Sequence, residues 1–246
     1  MLQVCLNGAR DRAECQGLPV SPAELAIHAA AAVAAAAQDI HLHPKNADGL
    51  DTLEAGPVAA SVSAVRAAVP HGIRVGVTTG AWTAESPGHR AELIRSWTTL
   101  PDHASVNWHE DGAELVAGVL LEIGVGIEAG IYSGTDAARR FRASALSGRV
   151  LRVLAEVTDT DPARAAATAL ALVDDLGAGL AVPVLLHGED GGAWPVLSTA
   201  ARLGLDARIG MEDVLTLPDG SVAMDNAQLV KAAVAIIRLQ GARIDG

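Results

Sequence analysis

The sequence predicts an α/β fold, a single-domain (β/α)8 TIM barrel over residues 1–246. Three observations lead to it. Short apolar runs rich in Val, Ile and Leu alternate with helical patterns eight times, leaving little chain over. Those runs are apolar at consecutive positions, as in parallel strands covered on both faces. The turn after the first run, Asn7-Gly8-Ala9-Arg10, is not the Gly-rich phosphate loop that an open doubly wound sheet usually carries there.

Taken in order, strand Gln3–Leu6 leads to helix Pro22–Ala37, whose start Ser21-Pro22-Ala23-Glu24 combines a capping Ser, Pro at the first helical position and Glu at the third. Asp39–His43 precedes a helix at Gly56–Ala68, and Arg74–Thr78 precedes one at Gly88–Ser96. Ala104–Trp108 is followed by Gly112–Glu122, and Gly126–Ile131 by Asp136–Ala145. Val150–Val157 leads to Pro162–Asp175, Val182–His187 to Gly192–Leu203, and Ala207–Met211 to Asn226–Gln240. Asp161-Pro162 and Asp225-Asn226 repeat the capping theme of the first helix.

Composition narrows the function. Half of the residues are hydrophobic but only 2% are aromatic, so Ala, Val, Leu and Ile must build the core. A net charge of −11 argues against nucleic acid and anionic membranes as partners. Cys5, in an apolar strand, and Cys15, in a polar loop, suggest no disulfide framework. The start Met1-Leu2-Gln3-Val4 has no signal pattern, and the apolar run Ala26–Ala37, interrupted by His28, is too short to span a bilayer. A cytoplasmic protein is the expectation.

Active sites of such barrels form at the C-terminal ends of the strands. Here those ends hold Asn7 and Arg10, His41 and His43, Thr78 and Thr79, Asn107 and His109, Glu128 and Tyr132, His187 and Glu189, and Glu212 and Asp213. Residues two apart in a strand share a side, so His41 and His43 can aim at one point and Glu212 can add a carboxylate. Two His and a carboxylate with a position open is how proteins hold a catalytic divalent metal. The plain alternative is one buried and one exposed His, with Glu212-Asp213 as a charge pair at a helix start. Arg208 and Glu128 lie within strands, where a charge is costly unless paired; an Arg208 contact with Glu128 or Asp213 would satisfy it.

These pieces, in order, resemble the β-keto acid cleavage enzyme family, whose founding activity is 3-keto-5-aminohexanoate cleavage. The resemblance runs from Val4 to Ile244 through Asn7-Gly8-Ala9, Pro19-Val20-Ser21-Pro22-Ala23-Glu24-Leu25, His41-Leu42-His43, Val77-Thr78-Thr79-Gly80, Ala104-Ser105-Val106-Asn107, Arg208-Ile209-Gly210-Met211-Glu212-Asp213 and Asn226-Ala227-Gln228-Leu229-Val230. It implies a (β/α)8 barrel assembled as a homo-oligomer, with Zn2+ or another divalent metal. It also implies an acyl transfer in which a β-keto acid and acetyl-CoA give acetoacetate and a new acyl-CoA. On matching positions His41, His43 and Glu212 look like the metal ligands. Glu128, Arg208 and Asp213 look like the triad for deprotonation, with Asp213 the base. Thr78 and Asn107, beside Thr79, look like donors to the substrate.

This chain departs from the family pattern in three places. Arg10 stands where relatives commonly have an acid, which disfavours an aminated substrate and favours a carboxylate. Pro44-Lys45-Asn46 replaces the usual Arg-Asp, and the loop His187-Gly188-Glu189-Asp190-Gly191-Gly192 carries two acids where a neutral one is typical. Those acids would oppose a CoA phosphate. Two further readings therefore stand beside the first: a CoA-independent, metal-dependent retro-aldol lyase or decarboxylase of small keto acids, and a non-catalytic metabolite-binding barrel.

Overall fold

Eight parallel strands close in sequence order into one barrel in a computed structural model that describes residues 1–177 and 179–241. They are β1 (Leu2–Cys5), β2 (Asp39–Leu42), β3 (Arg74–Thr78), β4 (His103–Asn107), β5 (Gly126–Tyr132), β6 (Arg152–Val157), β7 (Val184–Gly188) and β8 (Asp206–Ile209), with β8 pairing back onto β1. The outer ring is α1 (Pro22–Ala34), α2 (Ala55–Ala68), α3 (Pro87–Arg95), α4 (Ala113–Glu122), α5 (Ala137–Ala143), α6 (Ala165–Leu176), α7 (Ala193–Leu203) and α8 (Asn226–Leu239). The expected (β/α)8 architecture is the observed one. Ile244, at the end of the family resemblance, and the other residues of 242–246 lie outside the described residues.

Boundaries follow local chemistry. The capping box at Ser21 forms as expected, with the Glu24 amide donating to the Ser21 hydroxyl and the Ser21 amide to the Glu24 carboxylate. Asp225 caps α8 by accepting from the Gln228 amide at 2.8 Å. Asp161-Pro162 does not cap α6. Its carboxylate accepts from the Ala163 amide and heads a turn, and the helix begins only at Ala165. Helix α1 stops three residues short of the expected Ala37, because Ala36 takes a φ of 83°, outside helical geometry.

The core lies between strands and helices and is built from small aliphatics such as Val58, Val62, Leu120, Val153 and Val196, all fully buried. Each contributes about 1.5–3 kcal/mol when removed from water. The barrel interior is different, because it holds polar side chains. Gly76 on β3 illustrates the cost of space there: a Cβ at that position would sit 1.9 Å from the His103 ring. Only glycine lets that imidazole fill the barrel. Among the described residues no helix is long and apolar enough to cross a membrane.

Candidate metal centre

β2 places Asp39, His41 and His43 on one side at alternate positions, all facing inward and buried. After β8 the chain turns at once: the amides of Asp213 and Val214 both donate to the Gly210 carbonyl. This turn swings both Glu212 and Asp213 back toward Arg208 instead of sending them to opposite faces. No helix starts there; α8 begins at Asn226. The turn also needs Gly8, at φ 60°, since a Cβ on it would lie 2.4 Å from the Glu212 side chain.

The result is a converging trio. His43 Nε2 is 3.4 Å from Glu212 Oε1, and His41 Nε2 is 3.8 Å from Glu212 Oε2. One ligand atom from each of the three residues lies within 4.8 Å of the others. Ligands at about 2.0–2.1 Å from a tetrahedral ion stand about 3.3–3.5 Å apart, so this spacing suits a divalent cation. Glu212 Oε2 is buried and has no hydrogen-bond partner, which leaves a lone pair for such an ion.

One of the two imidazoles is held from behind by a hydrogen bond. His43 Nδ1 lies 2.9 Å from Asp51 Oδ2, and a carboxylate only accepts, so Nδ1 carries the proton and Nε2 faces the site. His41 Nδ1 points toward Glu128 Oε2 at 3.8 Å. A carboxylate placed like Asp51 fixes ring orientation and tautomer, whereas His41 Nδ1 has no hydrogen-bond partner. Burial pushes His41 down to about 4, against the pull of Glu212. For His43 burial is outweighed by Glu212 and Asp51, which hold it at about 9.

Arg208 Nη2 donates to Glu212 Oε1 at 2.6 Å and to Asp213 Oδ1 at 2.9 Å. Of the two partners weighed for Arg208, Asp213 is the one it meets. Burial resists the charge on Asp213, but Arg208 and then His187, whose Nδ1 is 3.3 Å away, hold its carboxyl at about 2. His187 sits between Asp213 and Glu156, 3.3 Å from each, at about 9. Burial and the neighbouring Glu156 raise Glu189 to about 8.

Glu128 belongs to a second cluster deeper in the barrel. Its Oε1 accepts from Arg152 Nε at 2.5 Å and from Gln3 Nε2 at 2.8 Å, and its Oε2 is 3.3 Å from His103 Nδ1. Asp39 accepts from Arg152 Nη2 at 2.8 Å and lies 2.9 Å from His103 Nε2. Asp39, His103 and Glu128 could by type and spacing hold an ion. Arg152 already takes one oxygen of each carboxylate, while Glu128 Oε2 has no hydrogen-bond partner. Burial notwithstanding, Glu128 and Asp39 hold His103 at about 9, and His103 and Arg152 keep Glu128 well below the usual carboxylate range.

The remaining residues are partly committed. Thr79 donates to the Ser105 carbonyl at 2.6 Å, and Asn107 Nδ2 to Glu110 at 2.9 Å. The Thr78 hydroxyl oxygen accepts from the Gly80 amide. Arg10 bonds Asp190 at 2.6 Å, Glu14 at 3.0 Å and the Glu212 carbonyl at 3.0 Å. Sequence reasoning missed Asp51, Arg152, His103 and Glu156. For three of these the signal was present: each is an ionisable group inside a predicted strand or at its edge.

A model of the β-keto acid cleavage enzyme family matches residues 1–245. The chain belongs to that family. No curated protein matches the sequence. Solved structures of ObcA superpose with TM-scores of 0.72–0.73 at 16–17% identity; one is the apo form, one a binary complex with oxaloacetate, one a ternary complex with a C4-CoA adduct and oxalate. They cover 92% of this chain, which spans only 62–64% of theirs. The type I 3-dehydroquinate dehydratase of Clostridium difficile shares the fold at TM-score 0.61 and 12% identity, over 97% of this chain and 90% of its own.

Proposed function

We propose that this family member is a metal-dependent enzyme that transfers an acyl group between a β-keto acid and acetyl-CoA, giving acetoacetate and a new acyl-CoA. The observation that carries it is the His41–His43–Glu212 trio with Asp213 beside it, gripped by Arg208. A divalent cation, zinc by its fit to two imidazoles and a carboxylate, supplies Lewis acidity toward the β-keto oxygen. Asp213 accepts the proton from the carbon between the two carbonyl groups, and Arg208 orients the accepting oxygen. At about 2 this carboxylate is ionised throughout the physiological range but is a weak base, so the carbon must be strongly acidified first. The carbon then bonds the acetyl thioester carbonyl and expels the CoA thiolate. That thiolate attacks the original keto carbon, the carbon–carbon bond breaks to give the new acyl-CoA, and Asp213 returns its proton to the departing carbon to give acetoacetate.

Thr78, Asn107 and Arg10 are assigned to the carboxylate and carbonyl groups of a substrate without an amine, in a homo-oligomer of the cytoplasm. Incubating metal-loaded protein with acetyl-CoA and a panel of β-keto acids should yield acetoacetate from at least one. No acetoacetate across a broad panel would remove the acyl-transfer reading. A second reading, CoA-independent cleavage or decarboxylation of a small keto acid, is supported by the acids of the loop after β7. Glu189 lies against Glu156, and Asp190 covers Arg10, so little positive charge remains there for CoA phosphates. Turnover unchanged when CoA thioesters are omitted selects this reading.

A further inference from the structure

Asp51 collects more functional contacts than its loop position predicts. A tight hairpin returns the chain onto β2: Asn46 caps it through its side chain to the amides of Asp48 and Leu50, and Lys45 and Asp51 pair across it. This places Asp51 behind His43, where its side chain is 5% exposed. Oδ1 forms an ion pair with Lys45 Nζ at 2.6 Å, and the same ammonium donates to the Gly8 carbonyl at 2.7 Å. Oδ2 is shared. It accepts from His43 Nδ1 at 2.9 Å and from Trp82 Nε1 at 2.8 Å.

Trp82 comes from the turn after β3, which Glu110 pins by accepting from the Ala81 amide. The indole packs against Gly80, where a Cβ would be 2.1 Å from the ring. It stacks on His43 with centroids 6.1 Å apart and planes 23° from parallel, yet remains 55% exposed. One carboxylate oxygen thus joins an imidazole aimed at the candidate ion to an aromatic side chain at the rim.

We propose that Asp51 is a positioning residue of the metal centre that couples occupancy of the ion to the placement of Trp82 over the site. The proposal rests on the metal reading of His41, His43 and Glu212. An ion at His43 Nε2 fixes the ring, the ring fixes the shared Oδ2, and Oδ2 fixes the indole. Metal loading therefore completes one wall of the substrate pocket as well as supplying the ion.

The test is titration of metal-stripped protein with Zn2+ and with Co2+, read by tryptophan fluorescence, by the visible Co2+ spectrum and by bound-metal analysis. The expected result is a fluorescence change on loading in the wild type and none in Trp82→Phe, which still binds the ion. Trp97 and Trp108 are buried, and Trp194 donates to Thr216, so they give a constant background. Asp51→Asn should bind about 10–100-fold more weakly, with an altered Co2+ spectrum and no fluorescence response. Since Asp51→Asn leaves Lys45 unpaired, Asp51→Asn/Lys45→Met serves as the charge-balanced variant and should show the same loss. Wild-type affinity, spectrum and response in the balanced variant would overturn the proposal while leaving the metal reading intact. Failure of the wild type itself to bind either ion would instead defeat the metal reading.

Discussion

Two clusters of the same side-chain types lie in one barrel, and they do different things. His41, His43 and Glu212 sit at the mouth; Asp39, His103 and Glu128 lie below, all fully buried. The difference is where the cations stand. Arg152 reaches into the lower cluster and bonds one oxygen of each carboxylate, a protonated His103 lies between the two, and Arg74 pairs with Asp39 at 3.2 Å. At the mouth, Arg208 takes one oxygen of Glu212 and the other has no hydrogen-bond partner; Glu128 Oε2 below is likewise without one but lies 3.3 Å from the His103 ring. Donor type and spacing are thus insufficient to define a metal site. What also matters is how many cationic side chains already bond the carboxylates.

The largest effect should come from removing a ligand at the mouth. Glu212→Gln or His41→Ala is expected to abolish stoichiometric metal and to lower turnover by about a thousandfold or more, the equivalent of several kcal/mol of transition-state stabilisation. Elemental analysis with steady-state assay on the same preparation checks both. Metal retained at wild-type level in both variants would shift the ion elsewhere.

Next, Arg152→Met attacks the lower cluster. It removes the guanidinium shared by two buried carboxylates, leaving His103, Gln3 and Arg74 beside them, and should cost about 3–5 kcal/mol, seen in chemical denaturation. The comparison sharpens if Zn2+ is then added. With its internal cation gone, the lower trio can accept an ion, so Zn2+ should restore stability to the variant more than it raises that of the wild type. Equal Zn2+ effects on both proteins would show that spacing, not Arg152, closes the lower site.

A smaller effect follows from pH. Its two buried carboxylate partners raise His103 to about 9 from an ordinary 6.5. Its stabilisation is complete below pH 6.5, where folded and unfolded states are both protonated. It drains away as pH climbs and is gone above about 9. Tm should therefore fall between those values at constant metal and salt. His103→Gln should flatten this slope while leaving the metal content unchanged.

Much of this was legible beforehand because it depends on short-range patterns. Alternating apolar runs mark every strand to within two residues, and His41 and His43 are two apart on one of them. Glu212 and Asp213 were readable as functional, but not their common direction, which comes from the turn on Gly210. The partner of Glu128 was not legible. Arg152 and Arg208 are both strand arginines; only barrel register, which sets Glu128 beside Arg152, decides between them. Asp51 was hidden for a similar reason. A hairpin eight residues downstream of His43 carries no periodicity that points back to it.

The smallest effect concerns the rim, where Arg10 is expected to meet a substrate carboxylate although Asp190 and Glu14 already hold it. The Asp190 side chain is 56% exposed, so the bridge is worth about 0.2–1 kcal/mol. Asp190→Asn keeps the loop, because Asn tolerates the φ of 44° found there and the backbone amide still donates to the Asp213 carbonyl. It weakens only the competitor for Arg10. KM for a keto acid with an anionic tail should fall by about two- to fivefold, and KM for a neutral-tailed analogue should stay unchanged. Equal shifts for both would mean that Arg10 ties loops together and reads no charge on the substrate.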